Sequence, residues 1–301
     1  MAPVAAAARQ VLVAIPAFDE DRYIGSLVLK LRAAGHRVLV IDDGSADNTA
    51  EVAELAGAEV IRHSANYGKS EAVRTAFAHG RKLGLDALVL IDGDSQHDPS
   101  DIAAVVAPVL AAEADMVVGS RFAGVSSRIP RWRIAGQHAL TIATNLGSGL
   151  PVSDSQSGFR AFSRRALETM RLDGSGFSVE SEMQFAAKEM GLAVAEVPIS
   201  VHYDIPVKRN PVRQALRVID LVLHLIAQHR PLLFFSVPGL FSLTAGLGLG
   251  VYVVRVYEAT LTLAVGLAML TLLLCIGGML SLFVGIMLHT ILALVPRSTR
   301  S

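Results

Sequence analysis

The chain has 301 residues, of which 52% are hydrophobic, with a mean hydropathy of +0.46 and no formal net charge. It is too apolar for an ordinary soluble protein of this length, and its balanced charge gives no electrostatic case for a nucleic-acid partner. The single cysteine, Cys275, excludes intramolecular disulfides and thiolate metal sites.

From residue 11 onward, short β-type runs alternate with helical patterns. The helical patterns at 23–34 and 70–83 are each followed by a glycine, which is typical of a helix end. This alternation predicts an α/β layer fold with a mostly parallel sheet, in which ligands bind at the carboxyl ends of the strands. The expected strands are 11–15, 38–41, 59–61, 87–91 and 116–118.

Acidic side chains follow three of these strands. Asp19 and Glu20 follow the first, Asp42 and Asp43 the second, and Asp92 and Asp94 the apolar run 87–91. The last pair flanks Gly93, so a turn there can direct both carboxylates to one hard divalent cation, with Gln96 as a third oxygen donor. Such a site suits a diphosphate, whereas the alternative is an acidic loop that stays in water.

The other strand ends suit a nucleotide. Asp42 or Asp43 can accept hydrogen bonds from a base or ribose, and Gly44 lets the backbone come close, although a plain turn capped by Asp47 is the alternative. Lys69, at a predicted helix start, is as plausibly solvated as bound to a phosphate. Asp98 before Pro99 predicts a helix cap rather than a site residue.

The stretch 122–162 is the expected acceptor region. Arg128, Arg131 and Arg133 lie beside Trp132, a combination that suits a phosphate at a membrane surface, although a solvated basic loop is the alternative. Residues 157–160 are expected to introduce a helix, and 196–202 to form the last strand. Glu180 or Glu182 either faces the sugar or serves only at a helix start.

The C-terminal part predicts membrane attachment. Residues 210–230 form an amphipathic pattern that suits an interfacial helix, with a core-packed helix as the alternative. The uncharged runs 232–254 and 259–296 are each long enough to cross a bilayer. Small residues at 246 and 250, and at 277, 281 and 285, indicate close helix contacts within one chain or between chains. Basic residues flank the pair, which predicts both termini on the cytosolic side, and residues 1–10 lack a signal-peptide pattern.

Six motifs resemble the family 2 glycosyltransferases in their order and approximate spacing, especially dolichol-phosphate mannose synthases and related polyprenyl-phosphate hexosyltransferases. They are PAFDE at 16–20, DDGS at 42–45, NYGK at 66–69, DGDSQH at 92–97, GSRF at 119–122 and DSQSGFR at 154–160. The resemblance covers about residues 10–235. Residues 203–209 depart from the Gly-x-Ser-Lys motif usual in mannose synthases, so the resemblance leaves the sugar and the nucleotide open.

The resemblance implies a GT-A fold, a nucleotide-sugar donor, a bound Mg²⁺ or Mn²⁺, and a dolichyl or polyprenyl phosphate acceptor. Together with the pattern above it gives four predicted sets of residues. The catalytic set is Asp92, Asp94 and Arg121. The metal set is Asp92, Asp94 and Gln96. The donor set is Pro16, Ala17, Glu20, Asp42, Asp43, Gly44, Lys69, Asp92 and Gly93. The acceptor set is Arg121, Arg131, Arg133 and Ser157.

The expected protein is a membrane-anchored, inverting glycosyltransferase that moves mannose or glucose to the lipid phosphate. Its predicted parts are a cytosolic catalytic domain at 1–209, a juxtamembrane helix at 210–230 and a transmembrane hairpin at 231–301. The expected location is the cell membrane, or the endoplasmic reticulum in a eukaryote, with homo-oligomers formed through the hairpin. The alternatives are a sugar or diacylglycerol acceptor, and a non-catalytic partner that only binds a sugar nucleotide.

Overall fold

The computed structural model describes residues 9–123, 131–172, 178–201 and 231–294. The chain forms two compact units, Met1–Val218 and Ile219–Ser301. The predicted juxtamembrane helix at 210–230 lies outside the described residues.

The first unit is built on a seven-stranded sheet with the order β3-β2-β1-β4-β6-β5-β7. Strands β1 to β4 run parallel to one another, and β5 is parallel to β7. Among the strands of the described residues, β6 alone is antiparallel to its neighbours, β4 and β5. The strands are β1 Val11–Ala17, β2 Arg37–Asp42, β3 Glu59–Arg62, β4 Ala87–Leu90, β5 Met116–Ser120, β6 Arg160–Ser163 and β7 Val194–Pro198.

Helices cover both faces of this sheet, as a mostly parallel sheet requires. Their side chains form one apolar cluster on each face, and every residue of β4 is buried. The helices are α1 Asp21–Ala33, α2 Thr49–Leu55, α3 Lys69–Leu83, α4 Ile102–Leu110, α5 Arg131–Ser148, α6 Arg164–Thr169 and α7 Val179–Glu189.

The sequence predictions for this unit are confirmed at the five parallel-type strands and at the Asp98 cap, whose side chain accepts a hydrogen bond from the Ser100 amide. Two predictions are wrong. The residues after Gly158 form β6 before any helix begins, because the apolar residues 161–162 pair with both β4 and β5. The last strand ends at Pro198, four residues before the predicted limit.

The second unit is a helical hairpin. A π-helical turn, Leu232–Ser236, leads into α8 Val237–Thr260, and α9 spans Val265–Leu294. Arg255 and Glu258, which the sequence placed between the two spans, lie within α8. Leu232–Thr260 and Val265–Ile291 are long and apolar enough to cross a membrane, and little of either is buried. The chain is therefore consistent with a two-span membrane protein.

Glycines bring the two hairpin helices together within one chain. A Cβ at Gly278 would lie 2.6 Å from the Leu243 nitrogen, and one at Gly246 would lie 2.7 Å from the Cys275 sulfur. Gly277, by contrast, has no neighbour within 4 Å of such a Cβ. Within one chain, the contact face of α9 thus includes Gly278 and not Gly277.

Candidate active site

The carboxyl ends of β1, β2 and β4 form the edge at which the predicted donor residues gather. The loop after β1 is tied to the loop after β2 by backbone amides. The Asp19 amide donates to Ser45 Oγ at 2.9 Å, and the Glu20 amide donates to Thr49 Oγ1 at 2.8 Å. The segment that contains Pro16, Ala17 and Glu20 therefore lies beside the segment that contains Asp42 to Gly44.

Asp42 and Asp43 have separate structural partners. Asp42 is buried, accepts a hydrogen bond from the Ser45 amide and pairs with Arg62 Nε at 3.1 Å. Asp43 accepts hydrogen bonds from the amides of Tyr67 and Gly68, at 3.1 and 2.7 Å. Asp43 thus fixes the loop that leads to Lys69.

Gly44 lies where the backbone needs room, whereas Gly93 lies at ordinary contact distance from the end of β1. Gly44 has φ +73°, and a Cβ there would overlap the backbone of Ala65. A Cβ at Gly93 would lie 3.5 Å from the Pro16 carbonyl oxygen, so the turn after β4 packs closely on the end of β1.

Asp92, Lys69 and Glu180 form an ion triad at the centre of this edge. Lys69 Nζ lies 2.5 Å from Asp92 Oδ1 and 2.7 Å from Glu180 Oε1. Burial by itself would raise the pKa of Asp92, but the Lys69 ammonium and the nearby His97 ring hold it well below its usual range. Burial would likewise lower the pKa of Lys69, but Asp92 and Glu180 together raise it. Asp92 and Lys69 are therefore both charged at neutral pH.

Asp94 and Glu20 are surrounded by other carboxylates. Burial and then the charges of Asp94, Asp47, Asp92 and Asp19 raise the pKa of Glu20 from 4.5 to about 7. Burial and the charge of Asp92 also raise the pKa of Asp94, whose Oδ1 accepts a hydrogen bond from the Gln96 amide at 3.0 Å. A cation beside these carboxylates would relieve this repulsion.

The loop before β6 reaches the triad because of the register of the antiparallel pair. Leu90 at the end of β4 lies opposite Arg160 at the start of β6, so the residues before Arg160 lie beside Asp92. A Cβ at Gly158 would overlap the Asp92 carboxylate. Only a glycine allows this approach.

Arg160 is fully buried and holds the loop in place. Its guanidinium donates to the carbonyl oxygens of Ser155, Ser157 and Glu180 at 2.7 to 2.9 Å. Burial lowers the pKa of Arg160 to about 10, so it remains charged at neutral pH. One side chain thus connects the loop before β6 to the first turn of α7, which carries Glu180.

Arg121 is held in a buried ion pair. Its Nε and Nη2 donate to the two oxygens of Asp154, at 2.6 and 2.7 Å, and its backbone amide also donates to Asp154. The Glu196 carboxylate in turn accepts hydrogen bonds from the amides of Ser153 and Asp154. Two acids therefore fix Arg121 beside the end of β5.

The remaining predicted acceptor residues are only partly described. Ser157 is 1% exposed, and its hydroxyl accepts a hydrogen bond from the Phe159 amide at 3.3 Å. The backbone of Arg131 and Arg133 lies in the first turn of α5, and their side chains lie outside the described residues. A contact between these residues and an acceptor stays a prediction.

Four residues that organise this site were in none of the predicted sets, although the first three lie in the DSQSGFR motif: Asp154, Gly158, Arg160 and Glu196. Sequence reasoning named Glu180 only as one of two alternatives. Arg160 gave the clearest signal, since a charged residue that opens an apolar run has to find partners in the interior. Nothing local indicated that Glu180 meets a lysine 111 residues earlier in the chain.

A model of the family described as glycosyl transferase family 2 matches residues 12–171, more than half of the chain. The chain belongs to glycosyl transferase family 2. The matched segment contains strands β1 to β6 and both ends of the Asp92–Lys69 pair, so the family assignment covers the edge described above.

Named relatives of this glycosyltransferase act on lipid phosphates. The chain is 33% identical over 211 residues to the UDP-N-acetylglucosamine–dolichyl-phosphate N-acetylglucosaminyltransferase of Methanococcus voltae, which covers 63% of this chain and 84% of the relative. It is 32% identical over 206 residues to the polyprenol monophosphomannose synthase of Mycolicibacterium smegmatis, with 64% and 77% covered. The recognition of the family from sequence motifs is confirmed.

Among solved structures, the glycosyltransferase resembles glucosyl-3-phosphoglycerate synthase from Mycobacterium tuberculosis, crystallised with Mn²⁺, uridine diphosphate and phosphoglyceric acid. The TM-score is 0.55 at 22% identity, and the match covers 73% of this chain and 78% of the other. The same protein has also been crystallised with Mg²⁺ and uridine diphosphate. At this identity the likeness shows the shared GT-A type of fold.

The residues of this glycosyltransferase fit a divalent cation. Within the described ranges, no three His, Cys, Asp or Glu side chains group as a complete metal site. Mg²⁺, however, is usually held by one or two carboxylates together with substrate phosphates, so a complete protein cage is not needed. Asp94, with its raised pKa, and the oxygen of the Gln96 side chain supply the donor chemistry for such a shared site.

Proposed function

We propose that this chain is a membrane-anchored, inverting glycosyltransferase that transfers a hexose from a nucleoside diphosphate sugar to a polyprenyl or dolichyl phosphate. One combination of features carries the proposal. Carboxylates that repel one another lie together at the sheet edge, and the same chain has two exposed apolar helices that are long enough to cross a membrane. Relatives named for transfer to dolichyl and polyprenol phosphates support the acceptor class.

The donor would lie across the carboxyl ends of β1, β2 and β4. In this proposal Glu20 would meet the nucleoside and Lys69 would meet the diphosphate. Asp42, whose side chain is buried against Arg62, would hold the loop that shapes the nucleoside site. Asp94 and Gln96 would hold the Mg²⁺ or Mn²⁺. When bound, the cation neutralises the charge that develops on the departing nucleoside diphosphate.

The acceptor needs positioning rather than a strong base. A phosphate monoester is already anionic at pH 7, so one of its oxygens can attack the anomeric carbon without losing a proton. The bond from that carbon to the diphosphate breaks on the opposite face, and the configuration inverts. Arg121, Arg131 and Arg133 would orient the acceptor phosphate by charge-assisted hydrogen bonds.

The test uses the purified full chain in nanodiscs with Mg²⁺ or Mn²⁺ and a polyprenyl phosphate. UDP-glucose, UDP-N-acetylglucosamine and GDP-mannose are supplied one at a time, and the lipid-linked sugar is measured by mass spectrometry. We expect product from one donor. Transfer to a soluble sugar or to diacylglycerol, with the lipid phosphate ignored, would replace the acceptor assignment. Donor turnover absent under all these conditions would favour a non-catalytic binding protein.

The matched variants for this test are Asp94→Asn and Asp98→Asn. Both remove one carboxylate charge and keep the shape, but Asp98 is a helix cap, a position that Asn fills equally well. We expect Asp94→Asn to lose about 100-fold or more of kcat, because metal stabilisation of a leaving group is worth several kcal/mol. Asp98→Asn should retain activity. Full turnover in excess chelator would contradict the metal assignment.

A further inference from the structure

The position of Lys69 is fixed by the backbone before it. Asp43 accepts hydrogen bonds from the amides of Tyr67 and Gly68, and Gly68 has φ +91°, a conformation that side-chain-bearing residues rarely adopt. Lys69 then begins α3 directly. The fold therefore directs this lysine to one place at the sheet edge.

At that place the ammonium bridges two carboxylates from distant parts of the chain. It lies 2.5 Å from Asp92 Oδ1 and 2.7 Å from Glu180 Oε1. An ammonium has three donors and no acceptor, so it can hold both oxygens at once, or turn from one carboxylate to the other without leaving the site. Glu180 is 8% exposed and lies in the first turn of α7.

Two further groups approach the Asp92 carboxylate, whose side chain is 28% exposed. His97 Nε2 lies 3.8 Å from Oδ2, and Gly158 packs so closely that a Cβ would overlap both oxygens. A cation can therefore reach this carboxylate from solvent, but Lys69 Nζ already occupies Oδ1. An ammonium and a divalent metal ion cannot share the same oxygen at contact distance without strong repulsion.

We propose that the Lys69 ammonium and the divalent cation compete for the Asp92 carboxylate, and that Glu180 holds the ammonium when the cation is bound. Lys69 thus acts as a displaceable counter-ion that offsets part of the negative charge of the empty site and disfavours metal binding before the donor arrives. A diphosphate adds negative charge, which tips the competition toward the metal. This inference rests on the metal site of the proposed function.

The test measures Mn²⁺ binding by calorimetry, on the full chain in phosphatidylcholine nanodiscs, with no nucleotide present. Lys69→Gln should tighten Mn²⁺ binding about tenfold or more, because it removes the competing charge. Arg62→Gln is the matched control, since Arg62 is a cation of the same sheet edge that contacts Asp42 rather than Asp92. Arg62→Gln should change the dissociation constant by less than about threefold. If the two variants changed the dissociation constant equally, the loss of any nearby positive charge would explain the result, and the proposal would be overturned.

Glu180→Gln distinguishes competition between Lys69 and Mn²⁺ from a general effect of negative charge on Mn²⁺ binding. In the wild-type background it should weaken Mn²⁺ binding, because the displaced ammonium loses its second partner. In the Lys69→Gln background, the change that Glu180→Gln causes in the Mn²⁺ dissociation constant should be at least about threefold smaller. Equal effects in both backgrounds would overturn the role of Glu180.

Three further outcomes of the Mn²⁺ titrations also test the proposal. If Lys69→Gln does not fold, Lys69→Arg keeps the charge and can hold Asp92 with a two-pronged hydrogen bond, so it should weaken Mn²⁺ binding. Unchanged binding in that variant refutes the competition. If the wild type binds no Mn²⁺ even with UDP or GDP present, the metal site of the proposed function fails as well. If the wild type binds Mn²⁺ and the Lys69 variants bind it equally, only the competition fails.

Discussion

Replacement of Arg121 by Ala should destabilise the catalytic unit strongly, in addition to any effect on the acceptor. The side chain of Asp154 is 0% exposed and that of Arg121 is 10% exposed, and two side-chain hydrogen bonds join them. Removal of Arg121 leaves a buried carboxylate without its main cation. Loss of one partner of a buried ion pair typically costs about 3 to 5 kcal/mol of unfolding free energy.

This loss of unfolding free energy should lower the melting temperature, Tm, by a measurable amount. For a domain of about 200 residues, each kcal/mol corresponds to roughly 2 to 4 °C, so we expect Tm to fall by about 6 to 20 °C. The double variant Arg121→Ala with Asp154→Ala removes both charges and should recover part of that loss. Arg165→Ala breaks a pair with Asp115 in which the arginine is 59% exposed, so its Tm should change by no more than about 4 °C.

The assay is thermal unfolding of the full chain in nanodiscs, followed by circular dichroism. A fall in Tm of less than 3 °C for Arg121→Ala, or a double variant less stable than the single one, would refute the reasoning. Acceptor KM is then compared well below the Tm of each variant. If Arg121 also binds the acceptor phosphate, KM for polyprenyl phosphate should rise about 10- to 150-fold while KM for the donor changes little.

Three further predictions concern the hairpin, the acid cluster and the membrane topology. Gly278→Ala should separate the hairpin helices and lower Tm of the full chain, whereas Gly277→Ala, one residue away on an open face, should not; equal effects would contradict the contact assignment. Glu20 has a folded pKa of about 7 against 4.5 for an unfolded glutamate, so its contribution to stability is present below pH 4.5 and is lost as the pH rises through 7. Glu20→Gln should therefore flatten the fall of Tm over that range, and a profile unchanged from wild type would count against the charge cluster. A cysteine at Thr262, between α8 and α9, in a Cys275→Ala background should be labelled only from the non-cytosolic side of membrane vesicles; labelling from the cytosolic side alone would reverse the proposed orientation.

The sequence by itself determined the elements that have a strong local pattern. Short apolar runs that alternate with helical patterns predicted the parallel strands. Because such strands place their carboxyl ends at one edge, the sequence also indicated that Asp42, Asp92 and Asp94 would gather there. Uncharged runs of more than 20 residues gave the two candidate membrane spans in the same way. Each of these inferences depends on composition and spacing within a short window.

Tertiary structure alone decided which charged groups meet. The four-residue strand β6 has too few residues for a clear period, and only its pairing with β4 places Gly158 against Asp92. Lys69 and Glu180 are 111 residues apart, and Arg121 and Asp154 are 33 apart, so no local pattern predicts either pair. In the hairpin, one residue corresponds to 100° of helix rotation, which is why only packing could distinguish Gly278 from Gly277. Register and long-range packing are properties of the whole fold, and they determine the charge balance of this site.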